Sequence, residues 1–246
     1  NISERVTTPE NYNPFLPSTL QHAGLQQVGF ESLFYYNYET GEMVPWLATG
    51  YQFNDGFDEV TIKLQPEAKW SDGTPFTADD VVYTIELLKS ESPGMMFSSA
   101  IDEWVESAEA VDPLTVKITL TKPGPRWPQD FLATGQATRL VIVPEHIWKD
   151  TDASEFANFD LEKGWPVGTG PYKLVAASSN SLVFDLRDDW WAIDAGLADG
   201  MPKVERIVYV PGTQEAMPKF PELPKDAPWP GASRSISVTP KPSRRR

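Results

Sequence analysis

The chain changes character at Pro211. Residues 1–210 carry 32 acidic and 14 basic side chains, a net of −18, and their apolar positions recur with recognisable periods. Residues 211–246 carry 3 acidic and 7 basic side chains, a net of +4, hold 8 of the 23 prolines and show no hydrophobic period. Such a tail has too little patterned apolar surface for a core of its own. It reads as a Pro-stiffened extension, expected to dock against something acidic, so the fold is expected from the first 210 residues.

Composition narrows the chemistry. The whole chain has a net charge of −14, which repels phosphate backbones and argues against nucleic-acid binding. It has no cysteine, which removes disulfides, thiolate metal sites and cysteine nucleophiles together. The longest run without Asp, Glu, Lys or Arg, Asn11 to Phe30, contains Asn, Gln, His, Ser and two prolines and cannot cross a bilayer. No basic segment followed by an apolar one opens the chain, and the start at Asn1 rather than Met leads us to expect an export signal already removed.

The first 210 residues alternate strand and helix patterns. Tyr51 to Leu64 reads as a hairpin around Asn54-Asp55-Gly56, with Gly56 supplying positive φ and Val60, Ile62 and Leu64 forming one buried face. Thr77 to Lys89 reads as a helix: Thr77 caps it, Asp80 completes a capping box, and Val81, Ile85 and Leu88 form its core stripe. Leu114, Val116, Ile118 and Leu120 alternate with polar residues as a half-buried strand. Tyr172–Ala176 and Leu182–Leu186 predict a second hairpin, and Val204–Val210 a last apolar strand long enough to be central. The sum is a mixed α/β architecture.

Motifs for catalysis or metal binding are sparse. His22 and His146 stand 124 positions apart, no Gly-x-Ser-x-Gly elbow occurs, and Gly168-Thr169-Gly170-Pro171 lacks the lysine and helix of a phosphate loop. We read it as a loop needing tight backbone turns, and nothing calls for a cofactor or metal. Of the paired acids, Asp79-Asp80 fits a helix N-terminus and Asp188-Asp189 a solvated turn. The positive signal is a neutral, amide- and aromatic-rich region: Asn11 to Phe15, then Thr19 to Gln27, then Phe34 to Tyr38. Aromatic faces and amides suit a neutral polar ligand, and the 9 tryptophans add to that reading. The competing account is structural, with Phe34 and Tyr36 in the core, Tyr35 and Tyr38 at the surface and each Trp a packing residue.

Three segments carry a resemblance. Glu31-Ser32-Leu33-Phe34-Tyr35-Tyr36-Asn37-Tyr38-Glu39-Thr40-Gly41-Glu42-Met43-Val44-Pro45-Trp46-Leu47-Ala48, then Lys69-Trp70-Ser71-Asp72-Gly73-Thr74-Pro75-Phe76-Thr77-Ala78-Asp79-Asp80-Val81, then Pro166-Val167-Gly168-Thr169-Gly170-Pro171-Tyr172 followed by Asp189-Trp190-Trp191, stand in this order over about 200 residues. Together they resemble family 5 extracellular solute-binding proteins, the oligopeptide, dipeptide, nickel and oligosaccharide receptors of ABC importers.

The resemblance implies a periplasmic-binding-protein-like (type II) lobe I with a mixed sheet and an inserted α/β subdomain. Residues 1–44 and 165–210 would form the sheet subdomain, 45–164 the insertion, and 211–246 a tail foreign to the family. It implies a non-enzymatic receptor that captures an oligopeptide or oligosaccharide between two lobes and delivers it to a membrane permease, in the periplasm or outside the cell; a lipid anchor is compatible with that. Ligand contact would come from the loop after Asn13-Pro14, through Asn13, Thr19, Leu20, Gln21 and His22, with Tyr35 beside it. Family members run about twice this length, so the chain resembles lobe I alone, truncated. Its binding is then expected to be weak or lost, and its uncovered faces to drive self-association. Two rivals remain: a glycoside-active enzyme using an Asp/Glu pair, and a docking module whose basic tail binds an acidic partner.

Overall fold

A computed structural model describes residues 11–16, 28–134, 140–178 and 181–209. By its internal contacts the chain divides into two units, 1–211 and 212–246, the second lying outside the described residues. The described part is mixed α/β, with three small sheets and short helices.

The largest sheet has the order β3-β4-β6-β5 and is antiparallel throughout: β3 (Ala48–Phe53), β4 (Glu59–Leu64), β5 (Val105–Asp112) and β6 (Thr115–Leu120). Val60 and Ile62 on β4 and Val116 and Ile118 on β6 are fully buried, as their alternation predicts. Helix α1 (Ala78–Ser90) lies against β5 and β6 and points Val81, Ile85 and Leu88 into the same core. Its start is built as the sequence suggests, with Thr77 N–H donating to Asp80 Oδ2 at 2.9 Å. Helix α2 (Ser98–Trp104) leads into β5. Asp80 does more than cap: its oxygens also accept from Trp70 Nε1 at 3.2 Å and from Glu145 N–H at 2.9 Å.

The β3–β4 turn departs from expectation. Gly56 is not its positive-φ residue; Phe57 is, at φ 55°. The side chain of Asn54 makes this possible, its Oδ1 accepting from Asp58 N–H and Glu59 N–H, and Phe57 C=O accepts from Gly124 N–H at 2.8 Å. A Cβ on Gly56 would stand 2.9 Å from Asp58 Oδ1, the end of a side chain that can move aside.

A second sheet has the order β2-β1-β7: β1 (Phe34–Asn37) pairs antiparallel with β2 (Glu42–Pro45) and parallel with the short β7 (Ala133–Thr134), which follows α3 (Trp127–Leu132). The third, antiparallel, has the order β10-β9-β8: β8 (Tyr172–Ser178), β9 (Ser181–Leu186) and β10 (Arg206–Tyr209). Here β10 is an edge strand in the described sheet, not the central strand its apolar run suggested, and Val208 is 50% exposed.

Two cores result. The larger gathers the four-stranded sheet, α1 and the β1 region, and includes the buried Trp70, Trp127, Trp148 and Trp191. The smaller joins Tyr12 and Phe30 to Val141, Tyr172, Leu174, Leu182 and Phe184. Much of the tryptophan surplus therefore fills the interior, with Trp46, Trp104, Trp165 and Trp190 half-buried at its margin. Two short helices, α4 (Glu145–Trp148) and α5 (Trp191–Asp194), complete the described elements.

Candidate functional site

The segment 17–27 lies outside the described residues, and with it Thr19, Leu20, Gln21 and His22. What the structure shows is how the chain enters and leaves it. On the entry side Asn13 is fully buried. Its Nδ2 donates to Ala153 O and Phe156 O, both at 2.8 Å, and its Oδ1 accepts Phe15 N–H at 2.9 Å. Tyr12 N–H donates to Ala157 O at 2.7 Å, and Met96 N–H donates to Phe15 O at 2.8 Å. Tyr12 stacks on Phe159 and Phe15 meets Trp148 edge-on. The Asn13 amide thus ties the chain before the segment to the backbone of 153–156.

On the exit side Val28 and Gly29 lie against Gly168-Thr169-Gly170. Gly170 N–H donates to Gly29 O at 2.9 Å. A Cβ on Gly168 would overlap Gly29 O, and one on Gly170 would overlap Val28 O. Neither glycine has positive φ. The two glycines therefore serve close approach of one backbone to another, where tight turning was expected. The same loop is held from behind by Ser71 N–H, which donates to Gly168 O at 2.8 Å, and by the Arg187 guanidinium, which donates to Gly170 O at 2.9 Å.

Directly beyond the exit stands Glu31, 6% exposed. Trp46 Nε1 donates to its Oε1 at 2.9 Å and Trp191 Nε1 to its Oε2 at 2.8 Å. Thr169 Oγ1 and Trp190 Nε1 stand close enough to favour the carboxylate, yet both are buried and neither reaches hydrogen-bond geometry with a described protein atom. Burial pushes the Glu31 carboxyl up to about 7, against the pull of these donors. Tyr35, half-buried in β1, meets the Trp46 ring edge-on at 5.2 Å, and Trp46 in turn touches Trp190 and Trp191.

Comparisons with known proteins bear on the chain as a whole. The family model described as "Bacterial extracellular solute-binding proteins, family 5 Middle" matches residues 42–218. The chain belongs to family 5 of the bacterial extracellular solute-binding proteins. Over 207 residues it is 31% identical to "Probable peptide-binding protein YejA" of Agrobacterium fabrum, a match covering 82% of this chain and 32% of that protein. Among solved structures it is similar to a periplasmic oligopeptide-binding protein of Thermotoga maritima, with TM-score 0.67 and 30% identity over 80% of this chain and 34% of that one. The mannohexaose-bound form of that protein gives TM-score 0.66 and 31% identity with the same coverage. The match thus spans about a third of the length of these relatives.

The fold is that of a periplasmic binding protein of type II. Family 5 consists of binding proteins, periplasmic or extracellular. Among the described residues no three His, Asp or Glu side chains gather as a metal site, and no helix is long and apolar enough to cross a membrane. Of the acid pairs, Asp79 is exposed while Asp80 is enclosed and committed to its three donors. His146 bonds Asp72 across 2.7 Å, joining α4 to the Ser71–Gly73 turn.

The residues missed from sequence were Glu31, Thr169 and Trp190. A signal for Glu31 was present: it is the first charge after the uncharged run Asn11–Phe30 and is followed by Ser-Leu-Phe, an acid in apolar company.

Proposed function

We propose that this chain is the lobe I portion of an ABC-importer receptor, and that segment 17–27 supplies its ligand contacts. Thr19, Leu20, Gln21 and His22 meet an oligopeptide backbone or an oligosaccharide through neutral amide and hydroxyl groups. Asn13 braces them and Tyr35 stands at the margin. Residues 1–44 with 165–210 act as the sheet subdomain and 45–164 as the inserted one; a membrane permease receives the cargo, and a lipid anchor would keep the receptor near it. The observation that carries this is the double anchoring of the segment, at Asn13 on one side and at Gly168–Gly170 on the other. Relatives named for peptide binding, and one with bound mannohexaose, support the two ligand classes.

One lobe leaves a ligand face in water, and contacts worth about 4 kcal/mol change affinity roughly a thousandfold. Calorimetry with uncharged tripeptides and pentapeptides and with mannohexaose tests the reading. Residues 1–246 should bind weakly or undetectably, and a two-lobed protein carrying this lobe should bind one class at micromolar concentration or tighter. If that longer protein ignores both classes, the proposal fails; micromolar binding by residues 1–246 would show that the second lobe is not needed.

A further inference from the structure

We propose that Glu31 holds the Val28–Gly29 backbone, where the chain leaves segment 17–27, in its glycine seat in a proton-dependent way, its carboxyl bonded to the Trp46 and Trp191 indoles and bordered by Thr169 and Trp190. This rests on the proposed role of the segment as the ligand loop.

The geometry places the group where it can act. Glu31 follows Gly29 by two residues, and Thr169 lies between the two glycines on which Val28 and Gly29 rest. One carboxyl therefore stands beside both the chain leaving the loop and the seat that holds it, with Trp46 and Trp191 fixing one oxygen each. The two remaining donors, Thr169 Oγ1 and Trp190 Nε1, are buried without a bonded partner. Unused buried donors are costly, and these two border the same carboxyl. The threonine hydroxyl can serve either protonation state, donating to a carboxylate or accepting from a carboxylic acid. An indole can only donate.

Among the described residues Glu31 has no ion pair. The charged groups on the packed elements are otherwise engaged: Arg187 grips the Thr169–Gly170 carbonyls and Asp189, and Asp194 of α5 pairs with Lys69. Glu42 of β2 lies on the exposed end of its hairpin, and Asp188 is exposed. Among the described residues the ionised form is therefore held by dipoles alone and gains from reaching water, whereas the protonated form is accommodated in the nest. The sign follows. The folded carboxyl titrates near 7 against a usual 4.5, so the stabilisation of the seated state is full below the usual value and is lost as pH rises through about 7. Linkage between those two values loosens the seat about tenfold from pH 6 to pH 8, levelling off at the upper end.

Two readouts on the 246-residue chain test this without any ligand. Hydrogen exchange of peptides spanning 28–33, corrected for intrinsic rates, should lose about tenfold protection from pH 6 to pH 8, and tryptophan emission should titrate with a midpoint near 7. Glu31→Gln should flatten both. It leaves His22 and His146 in place, so a histidine origin would survive the substitution and overturn the proposal. If Glu31→Gln does not fold, Thr169→Val serves instead: removing the hydroxyl should move the emission midpoint upward, and Thr169→Ser should restore it. Emission that titrates through Glu31 while exchange at 28–33 ignores pH would also overturn the proposal, because the carboxyl would then ionise without holding the seat. Failure of peptides and mannohexaose to bind a two-lobed protein bears on the ligand reading alone and leaves these readouts unchanged.

Discussion

Single atoms decide whether the glycine seat exists. Gly168 and Gly170 face Gly29 O and Val28 O so closely that one added methyl must push a backbone, not a flexible side chain. Gly168→Ala or Gly170→Ala should therefore destabilise the fold by about 3 kcal/mol, at the upper end of overpacking costs. Gly73 gives the contrast. It sits at φ 89° with nothing near its missing Cβ, so Gly73→Ala meets only the left-handed backbone penalty of about 1 kcal/mol. Urea midpoints for the three variants separate the two mechanisms; equal losses would mean that the backbones part easily. The Gly-x-Gly spacing was legible in the sequence, but its purpose was not, because the partner backbone lies some 140 positions away and nothing local encodes it. Glu31 was obscured for the same reason: its two bonded donors come from residues 46 and 191, and the further polar groups beside it from 169 and 190.

Elements were legible in proportion to how one-sidedly they are buried. β4, α1 and β6 bury one face each, so their periods of 2 and 3.6 stand out in the chain. β5 is not legible in the sequence because Val-Glu-Ser-Ala-Glu-Ala-Val-Asp lies at a sheet edge and is exposed over most of its length, leaving no alternation to read. Its exposed Glu106, Glu109 and Asp112 suit that place, since charge discourages edge pairing. The capping box of α1 shows how local chemistry acquires tertiary weight. Thr77→Ala should cost about 1 kcal/mol, the usual value of an N-cap. Asp80→Ala strands Thr77 N–H, Trp70 Nε1 and Glu145 N–H together and should cost at least about 3 kcal/mol. Thermal or urea unfolding of both variants checks the ranking. Equal effects would mean that Asp80 serves the helix alone and does not tie α4 to it.

At the scale of the molecule, two forces oppose each other across the outer strand of the third sheet. β10 presents an edge with no neighbouring strand among the described residues, and Val204 and Val208 are each at least half exposed beside it. Apolar residues on an open edge favour pairing with a second copy. The net charge of −14 resists it, because two such bodies repel at any distance shorter than the screening length, about 10 Å at 0.1 M salt. Association through this face should therefore be suppressed at low ionic strength and appear as salt is raised, the reverse of association driven by ion pairs. Sedimentation velocity at a fixed high protein concentration, in about 0.02 M and about 0.5 M salt, reads the difference, since screening at the higher value confines charge repulsion to a few ångströms. Val208→Lys, which adds a charge to the edge without touching the buried Leu182 and Phe184, should return the high-salt sample to monomer. A chain that stays monomeric in both salts would place those valines among ordinary surface residues, and association that weakens with salt would locate the contact on charged groups elsewhere.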